Sequence, residues 1–330
     1  MSRAPRLLDS CTARPARRDL HAQAGLTLVE LMISITLGMF VVGAATVLLL
    51  SVKSSYLAED DTAHLLDGGR YAIENITRAV RQAAYENLDG NNAPIDSLST
   101  VTPNIQGVDA RTYSTIPSSG LPATTSMSSH VSDILTLRFF GASKIVNGVS
   151  VADGTIFNCA GIATPAVATV AAAEADRGWS IFYVGSDASG EPALYCGYLD
   201  PNSTFKSNRL ISGVESFQVL YGVDLDDNGI ADRFVNATDL NALGAANWKK
   251  IVAVKVSLLI RGARMARADA ETTTYDLFGT AYGVSSDKGT SLTENDPLDI
   301  PAAERSRNRK VFATTIQLRN RASGGNLEPL

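Results

Sequence analysis

Residues 224–232, DLDDNGIAD, bring several oxygen-bearing groups together in one short acidic stretch. Carboxylate, amide and main-chain carbonyl oxygens are the ligands that Ca²⁺ prefers. Their spacing is that of positions 1, 3, 5, 7 and 9 of an EF-hand-like loop, here Asp224, Asp226, Asn228, the carbonyl of Ile230, and Asp232. Gly229 falls at the sharp turn of such a loop. The stretch therefore predicts calcium as a candidate ligand, and the sequence indicates no other cofactor.

The twelfth position of this loop departs from the calcium pattern. Val235 stands where an EF-hand has a bidentate glutamate. A bound ion would need a further oxygen ligand from Asp239, Glu215 or water. The alternative is a hairpin in which Asn228 and Gly229 form a type I′ turn and the aspartates are merely solvated. Both interpretations stay open from the sequence.

The chain has three cysteines, of which Cys11 lies in the N-terminal segment and Cys159 and Cys196 lie far downstream. If the downstream part is exported to an oxidising compartment, an even pair predicts one disulfide. Two buried free thiols are the alternative. A zinc site needs four ligands, and this spacing does not supply them.

Glu30 is a single carboxylate near the beginning of a long apolar run, five residues after Gly25. Residues 31–52 contain no charged side chain, and a helix of that length spans the roughly 30 Å hydrocarbon core of a bilayer. A carboxylate costs about 2.5 to 3.5 kcal/mol at mid-bilayer on insertion scales. We therefore expect a partner charge to neutralise Glu30.

Two simpler interpretations of the apolar run exist. An ordinary secretory signal peptide would use the small residues 43–45 as a cleavage site. However, Glu30 interrupts its apolar core, and residues 47–50 continue that core beyond the cut. A plain single-pass anchor explains the length of the run but leaves Gly25 and Glu30 without a role.

Residues 1–25 form a basic leader with five arginines and two aspartates. Arginines ahead of a membrane span hold that end in the cytoplasm, so the C-terminal portion is expected outside. The whole chain has a formal charge of −5, and removal of the leader makes the remainder more acidic. Because phosphate backbones repel an acidic surface and no basic run stands out, the sequence does not indicate nucleic-acid binding.

The apolar run continues into an amphipathic segment, residues 53–88. Apolar or small residues recur there at steps of three and four, namely Leu66, Gly69, Ile73, Ile76, Val80 and Ala84. Charged residues fall largely on the opposite side, where Glu74 and Arg78 have the i,i+4 spacing of an ion pair. One helix is expected from near Leu26 to about Tyr85, with its second half packed on a globular domain.

Residues 89–330 are expected to form a β-rich head. Alternating apolar residues predict strands near 135–139, 179–184, 194–199, 217–221, 252–260 and 312–318. Residues 91–130 and 262–310 are expected to be long polar connections, and 164–175 a loop or a short helix. The alternation predicts an antiparallel sheet with one face covered by the helix and one face in solvent. The fold class is therefore α+β.

Catalysis is not expected of this head. A Ser/His/Asp arrangement would have to use His130, which lies in a serine-rich stretch without the glycines of a nucleophile elbow. No other recognisable constellation of catalytic residues is present. The sequence therefore predicts that the protein is not an enzyme.

Gly25, Leu26 and Glu30 resemble the class III signal of type IV pilins, in which prepilin peptidase cuts after the glycine and glutamate is fifth in the mature chain. The departures are Leu26, where most members have phenylalanine, and Val47, where major pilins often have proline. Residues 312–320 resemble the closing strand of minor pilins of the PilW type. The resemblance implies a pilin-like fold whose long N-terminal helix, half transmembrane and half amphipathic, packs on an antiparallel sheet with long loops.

The resemblance also implies a function and a division of the chain. Residues 1–25 are the cleaved leader, 26–52 the transmembrane and filament-core helix, 53–88 the amphipathic helix and 89–330 the head. The implied function is that of a minor pilin that primes or caps type IV pilus assembly, with Glu30 neutralising the Leu26 amine of its own or a neighbouring subunit. A type II secretion pseudopilin of the J type and a pilus-tip adhesin remain alternatives.

The resemblance implies partners and a location as well. The partners are other minor pilins, the major pilin, prepilin peptidase and the inner-membrane assembly platform. The protein is expected to cross the inner membrane once, with its N-terminus cytoplasmic and its head periplasmic. It would then enter the pilus, where a bulky head favours the tip.

Overall fold

A computed structural model of the chain describes residues 25–83, 102–111, 113–115, 123–124, 132–265, 272–280, 282, 291–293 and 300–318. The leader before Gly25, His130 and the predicted helix end beyond Ala83 lie outside these residues. The chain divides into two compact units, Met1–Ser55 and Tyr56–Leu330.

The first element is helix α1, Leu28–Ala83, which contributes to both units. It begins at Leu28 because Thr27 caps it, the Thr27 hydroxyl accepting a hydrogen bond from the Glu30 N–H at 3.2 Å. Its residues through Ser55 are exposed, and by length and composition this part of the helix could cross a membrane.

The second unit contains fifteen described strands and two further short α-helices. The strands are β1 Ile105–Val108, β2 Tyr113–Thr115, β3 Ala123–Thr124, β4 Ile134–Phe139, β5 Ser143–Val146, β6 Val149–Ala152, β7 Gly178–Ser186, β8 Pro192–Leu199, β9 Phe205–Ser212, β10 Val214–Val223, β11 Arg233–Val235, β12 Ile251–Met265, β13 Thr274–Asp276, β14 Ser291–Thr293 and β15 Arg307–Gln317. The helices are α2 Ala173–Asp176 and α3 Ala237–Leu243; 3₁₀ turns cover Val170–Ala172, Ala245–Lys250 and Ala302–Glu304.

Two antiparallel sheets organise the head. One has five strands in the order β1-β4-β7-β8-β9, and the other has four in the order β11-β10-β12-β15. Strands β5 and β6, β2 and β3, and β13 and β14 form separate two-stranded pairs. The six strands that the sequence predicted are all present, with ends that differ by a few residues. The strands that it missed are mostly short or on sheet edges, where apolar alternation is weak.

The second half of α1 packs on both sheets. Leu65, Ala72, Ile76, Ala79, Val80 and Ala83 of the helix join apolar residues of β4, β8, β10 and β12 in one core cluster. Leu66 and Ile73 lie at the margin of this face, each half-buried. A long apolar helix on an antiparallel sheet head confirms the predicted α+β class.

The prediction of one solvated sheet face is wrong for the central strands, because β4 and β10 are buried at every position. On the five-stranded sheet, Ile134, Trp179, Ile181 and Tyr183 form a separate cluster, and Tyr113 stacks on Tyr183 with ring centroids 4.2 Å apart. On the four-stranded sheet, Leu259 packs with Leu277, Leu292 and Ile300. The predicted polar connections thus supply apolar residues that cover the outer faces.

Helix α1 approaches β15 closely at Gly69. A Cβ atom at this position would overlap the ring of Phe312. The neighbouring Gly68 has open space around it. Eight residues earlier, the buried Asp61 accepts hydrogen bonds from the N–H groups of Ala263 and Arg264 at 2.8 and 3.2 Å. A small residue and a carboxylate therefore attach the helix to the four-stranded sheet.

Two buried arginines share one carboxylate beside α2. Arg138 and Arg177 are 2% and 1% exposed and form ion pairs with Glu174 at 3.0 and 2.8 Å. Burial and then the charge of Arg177 lower the pKa of Arg138 to about 9, against the opposing effect of Glu174. Arg138 is therefore still charged at neutral pH. Among the described residues, Glu174 is the carboxylate that pairs with both guanidinium groups.

Candidate functional site

The N-terminal site consists of Gly25, Leu26 and Glu30. Gly25 and Leu26 precede α1, and Leu26 is 73% exposed. Both residues lie outside regular secondary structure. A protease can reach the peptide bond between them more easily there than inside a helix. Glu30 lies in the first helical turn, where the helix dipole favours a negative charge.

Glu30 makes no ion pair within the described part of the chain, and its side chain is exposed. Its neighbours along the helix are apolar, including Leu31 and Met32, which are 52% and 60% exposed. An ionised carboxylate surrounded by exposed apolar side chains is costly in a bilayer without a counter-charge. The geometry therefore leaves Glu30 available to a positive charge from outside the described residues, and its role in assembly stays a prediction.

Cys159 and Cys196 are joined by a disulfide with Cα atoms 6.0 Å apart. Cys196 lies in the middle of β8 and is fully buried, and Cys159 is 3% exposed. The Cys159 N–H donates a hydrogen bond to the Ser180 hydroxyl of β7 at 3.0 Å. The disulfide joins the segment that follows β6 to the centre of the five-stranded sheet.

The acidic loop connects β10, which ends at Val223, to β11, which begins at Arg233. Positive φ angles fall at Asp227 and Gly229, at 59° and 84°. A type I′ turn needs positive φ at both central residues, and Asn228 does not have it. Strands β10 and β11 do form an antiparallel hairpin, as that alternative expected, but its type I′ turn at Asn228 and Gly229 is wrong.

Asp224 stands at the centre of the loop. Its carboxylate accepts hydrogen bonds from the N–H groups of Asn228 and Gly229 at 3.1 and 2.7 Å. Burial would raise the pKa of Asp224, but these hydrogen bonds and others from the loop outweigh that effect and lower it. Asp224, Asp226 and Asp232 each offer a carboxylate oxygen within 4.8 Å of the others. Asp224 is buried and the other two are exposed.

The other predicted calcium ligands, Asn228 and Glu215, fit a calcium ion less well than the three aspartates. The Asn228 side-chain oxygen already accepts a hydrogen bond from the Ile230 N–H at 2.8 Å. Glu215 is wrong as a further ligand, because it is buried and binds Arg309 and Arg261 at 2.7 and 3.2 Å. The three aspartates supply three of the oxygen ligands that a Ca²⁺ site needs. Calcium binding stays a prediction.

A cavity of about 650 Å³ lies beside α1, at residues that no sequence pattern marked as a site. Tyr71, Asn75, Arg78 and Gln82 line it along the helix, at the three- and four-residue spacing of one helical stripe. The predicted pair of Glu74 with Arg78 is wrong, because the Arg78 guanidinium lies 4.6 Å above the ring of Phe157 instead. Sequence periodicity placed only Arg78 of this stripe on the charged side of the helix and assigned Tyr71, Asn75 and Gln82 to neither face, so it carried no signal for a cavity.

Comparisons with known proteins bear on both ends of the chain. Residues 181–320 match the family model of type IV pilus-assembly protein W, and residues 20–46 match that of the prokaryotic N-terminal methylation motif. No curated protein matches the chain. Among solved structures, the type IV-like pilin TTHA1219 from Thermus thermophilus is 18% identical and has a TM-score of 0.35, covering 78% of this chain and 98% of that one.

These matches confirm the resemblance that was based on Gly25 to Glu30 and on the last strand. The first family match includes Cys196, the acidic loop and β15. The second includes Gly25 and Glu30. The matched families are structural rather than enzymatic, which agrees with the prediction from the sequence.

Proposed function

Because residues 181–320 match the family model of type IV pilus-assembly protein W and residues 20–46 that of the N-terminal methylation motif, we propose that the chain is a minor pilin that helps to prime or cap pilus assembly. The observation that carries this proposal is a single carboxylate, Glu30, in the first turn of an exposed and otherwise uncharged helical segment. A charge kept at that position makes physical sense if docking onto another subunit neutralises it.

The proposed processing enzyme is prepilin peptidase, which would cut between Gly25 and Leu26. Cleavage gives Leu26 a positive α-amino group at the positive end of a helix dipole. Glu30 lies one turn away on the same chain and meets an equivalent amine on a neighbouring subunit. In a low-dielectric surrounding this attraction is much stronger than in water, so it can guide subunits into register.

The proposed pathway begins in the inner membrane, with the leader in the cytoplasm and the head in the periplasm. The assembly platform then moves the subunit into the pilus together with other minor pilins and the major pilin. Within this pathway the apolar part of α1 anchors the protein and later packs in the filament core. The head of residues 89–330 stays outside that core, and its size favours the tip.

The proposal is tested in a strain that lacks this gene and carries Glu30→Ala in its place. We expect Glu30→Ala to insert into the membrane and to be cleaved, and to leave cells with few pili by electron microscopy. Glu59→Ala is the matched control, because Glu59 is an exposed carboxylate on the same helix outside the uncharged segment. Normal piliation with Glu30→Ala would contradict the role of this carboxylate.

The same strains separate the alternatives. If deletion leaves pili intact and abolishes secretion of a folded protein, the chain is a pseudopilin of the J type. If pili are normal in number but adhesion is lost, it is a tip adhesin. Intact-mass measurement of the membrane-extracted protein checks processing, with a mature chain that begins at Leu26 expected and one that begins at Thr46 indicating ordinary signal peptidase.

A further inference from the structure

The cavity beside the second half of α1 contains polar groups that the described fold does not satisfy. Asn75 Oδ1, Arg78 Nε and Gln82 Oε1 are buried atoms without a hydrogen-bond partner among the residues that the structure describes. All three side chains line the cavity. Asn75 is only 8% exposed. Leaving a buried donor or acceptor unpaired costs about 1 to 3 kcal/mol, so three along one wall indicate a surface shaped for a polar ligand.

The arrangement of these groups indicates the chemistry of that ligand. Arg78 Nε needs an acceptor, whereas the two amide oxygens need donors. A main chain in extended conformation offers both, because each residue carries one N–H and one C=O. The three residues succeed one another along one helical stripe, so an extended segment lying along the helix can reach all of them.

The charge of the cavity selects the kind of segment. Arg78 and Arg81 line it along the helix, and Glu74 is the one acidic residue in the described lining, so the helix wall is net positive. The Asp153 carboxylate near the opposite wall accepts hydrogen bonds from the Thr155 N–H and hydroxyl. The chain as a whole is acidic, at −5. A basic groove on an acidic protein attracts an acidic partner and steers its approach.

The opposite wall of the cavity leads to an exposed apolar hairpin. Thr155 lines the cavity, and its N–H donates to the Asp153 carboxylate at 2.9 Å. The Asp153 N–H in turn donates to the Ala142 carbonyl at the base of the β5–β6 hairpin, at 3.0 Å. Two hydrogen bonds therefore link the Thr155 wall to the base of the hairpin.

The hairpin carries apolar side chains in solvent. Val146 pairs with Val149 and Lys144 pairs with Val151 across its two strands, so the three valines share one face. They are 44%, 61% and 37% exposed. Apolar side chains grouped on one exposed face can take part in a protein contact.

We propose that the groove between the Tyr71–Gln82 stripe of α1 and residues 155–156 binds an extended acidic peptide segment of another pilin subunit. The segment's main chain pairs with Asn75, Arg78 and Gln82, its carboxylates face Arg81, and its apolar side chains contact the valines of the hairpin. This inference rests on the proposed function, because it identifies the surface through which a minor pilin holds its neighbour.

The test uses the full-length mature protein in detergent micelles and synthetic 15-residue peptides that cover the pilins encoded with it. We expect acidic peptides to bind, and Arg81→Glu to weaken their binding at least about tenfold because it reverses an exposed charge in the groove. Arg70→Glu is the matched control, since Arg70 is an exposed arginine of the same helix that does not line the cavity. Arg81→Gln, which only removes the charge, should give a smaller loss.

Three results would overturn the inference: no peptide binds, binding is unchanged in Arg81→Glu, or Arg70→Glu weakens it equally. Equal melting temperatures of the variants show that the head is folded in each. Piliation of the deletion strain tests the proposed function separately. Wild-type rescue of pili without peptide binding in the groove refutes this inference alone, whereas a deletion strain with normal pili refutes the proposed function whether or not a peptide binds.

Discussion

At the scale of single residues, the acidic loop is the feature with the most direct chemical test. Asp224, Asp226 and Asp232 hold three carboxylates within 4.8 Å, and such a cluster repels itself unless a cation or hydrogen bonds compensate. In the structure, two N–H groups of the loop donate to Asp224, the Leu225 N–H donates to Asp232, and the Asn228 side-chain amide donates to Asp226. Asp226 and Asp232 are exposed, so a cation from solvent can reach their carboxylates directly.

We predict that Ca²⁺ binds this loop with a dissociation constant in the range of about 0.1 to 1 mM, as in extracellular calcium modules, and raises the melting temperature of the head. Asp224→Ala combined with Asp226→Ala should abolish both effects. Asp227→Asn should retain them, because Asp227 pairs with Lys250 at 2.8 Å and is not part of the cluster. Calorimetric titration that shows no heat at millimolar Ca²⁺ would leave the loop as a hydrogen-bonded turn only.

At the scale of elements, the contact between α1 and β15 depends on the absence of a side chain at Gly69. We predict that Gly69→Ala destabilises the head by about 1 to 3 kcal/mol, because the added methyl group overlaps the Phe312 ring in a packed interface. Gly68→Ala should instead stabilise it by up to about 1 kcal/mol, since alanine favours the helix and has open space there. Thermal melts of the two variants give the answer, and equal shifts would mean that the helix does not contact β15 in this way.

The disulfide is a second feature that stabilises the contacts between elements of the head. Cys159 and Cys196 are 37 residues apart in sequence. We predict that replacing both by alanine lowers the free energy of unfolding by about 3 to 4 kcal/mol, because the bond restricts the unfolded chain. Denaturant unfolding measures the loss. Thiol labelling of the unreduced, denatured mature protein should detect no cysteine, and two labelled cysteines would show that the bond is absent.

At the scale of the whole molecule, Glu174 links parts of the chain that are distant in sequence. Its carboxylate accepts hydrogen bonds from Thr102 and pairs with Arg138 of β4 and with Arg177. Burial alone would raise the pKa of Glu174, but the Thr102 hydrogen bonds and the charges of Arg177 and Arg138 outweigh it, so the pKa is lowered. A lowered carboxyl pKa contributes stability above the unfolded-state pKa of about 4.3, and this stability is lost as the pH falls through the folded-state value.

We therefore predict that Glu174→Gln lowers the free energy of unfolding at pH 7 by about 2 kcal/mol. This is less than the roughly 3 to 5 kcal/mol of a fully buried pair, because the Glu174 side chain is 36% exposed. The difference from wild type should shrink as the pH falls below about 4. Asp176→Asn, an exposed change in the same helix, should have little effect at any pH. A difference for Glu174→Gln that does not vary with pH would contradict the ionic role of this residue.

The sequence by itself determined the features that depend on local pattern. The uncharged run of 31–52 and the spacing of Gly25 and Glu30 needed no tertiary contact to be recognised, because length and composition decide whether a helix can cross a membrane. Periods of three to four and of two likewise predicted α1 and six strands, since each period reports which face of a single element is apolar.

Only the tertiary structure decided what lies against those faces. Tyr113, Leu277 and Leu292 come from stretches with no periodicity, yet they cover sheet faces that were expected in solvent. Asn75, in the polar stripe of an amphipathic helix, is buried because a distant segment packs beside it. Local periodicity identifies the apolar side of an element, but burial depends on segments that are distant in sequence, and no local pattern encodes their approach.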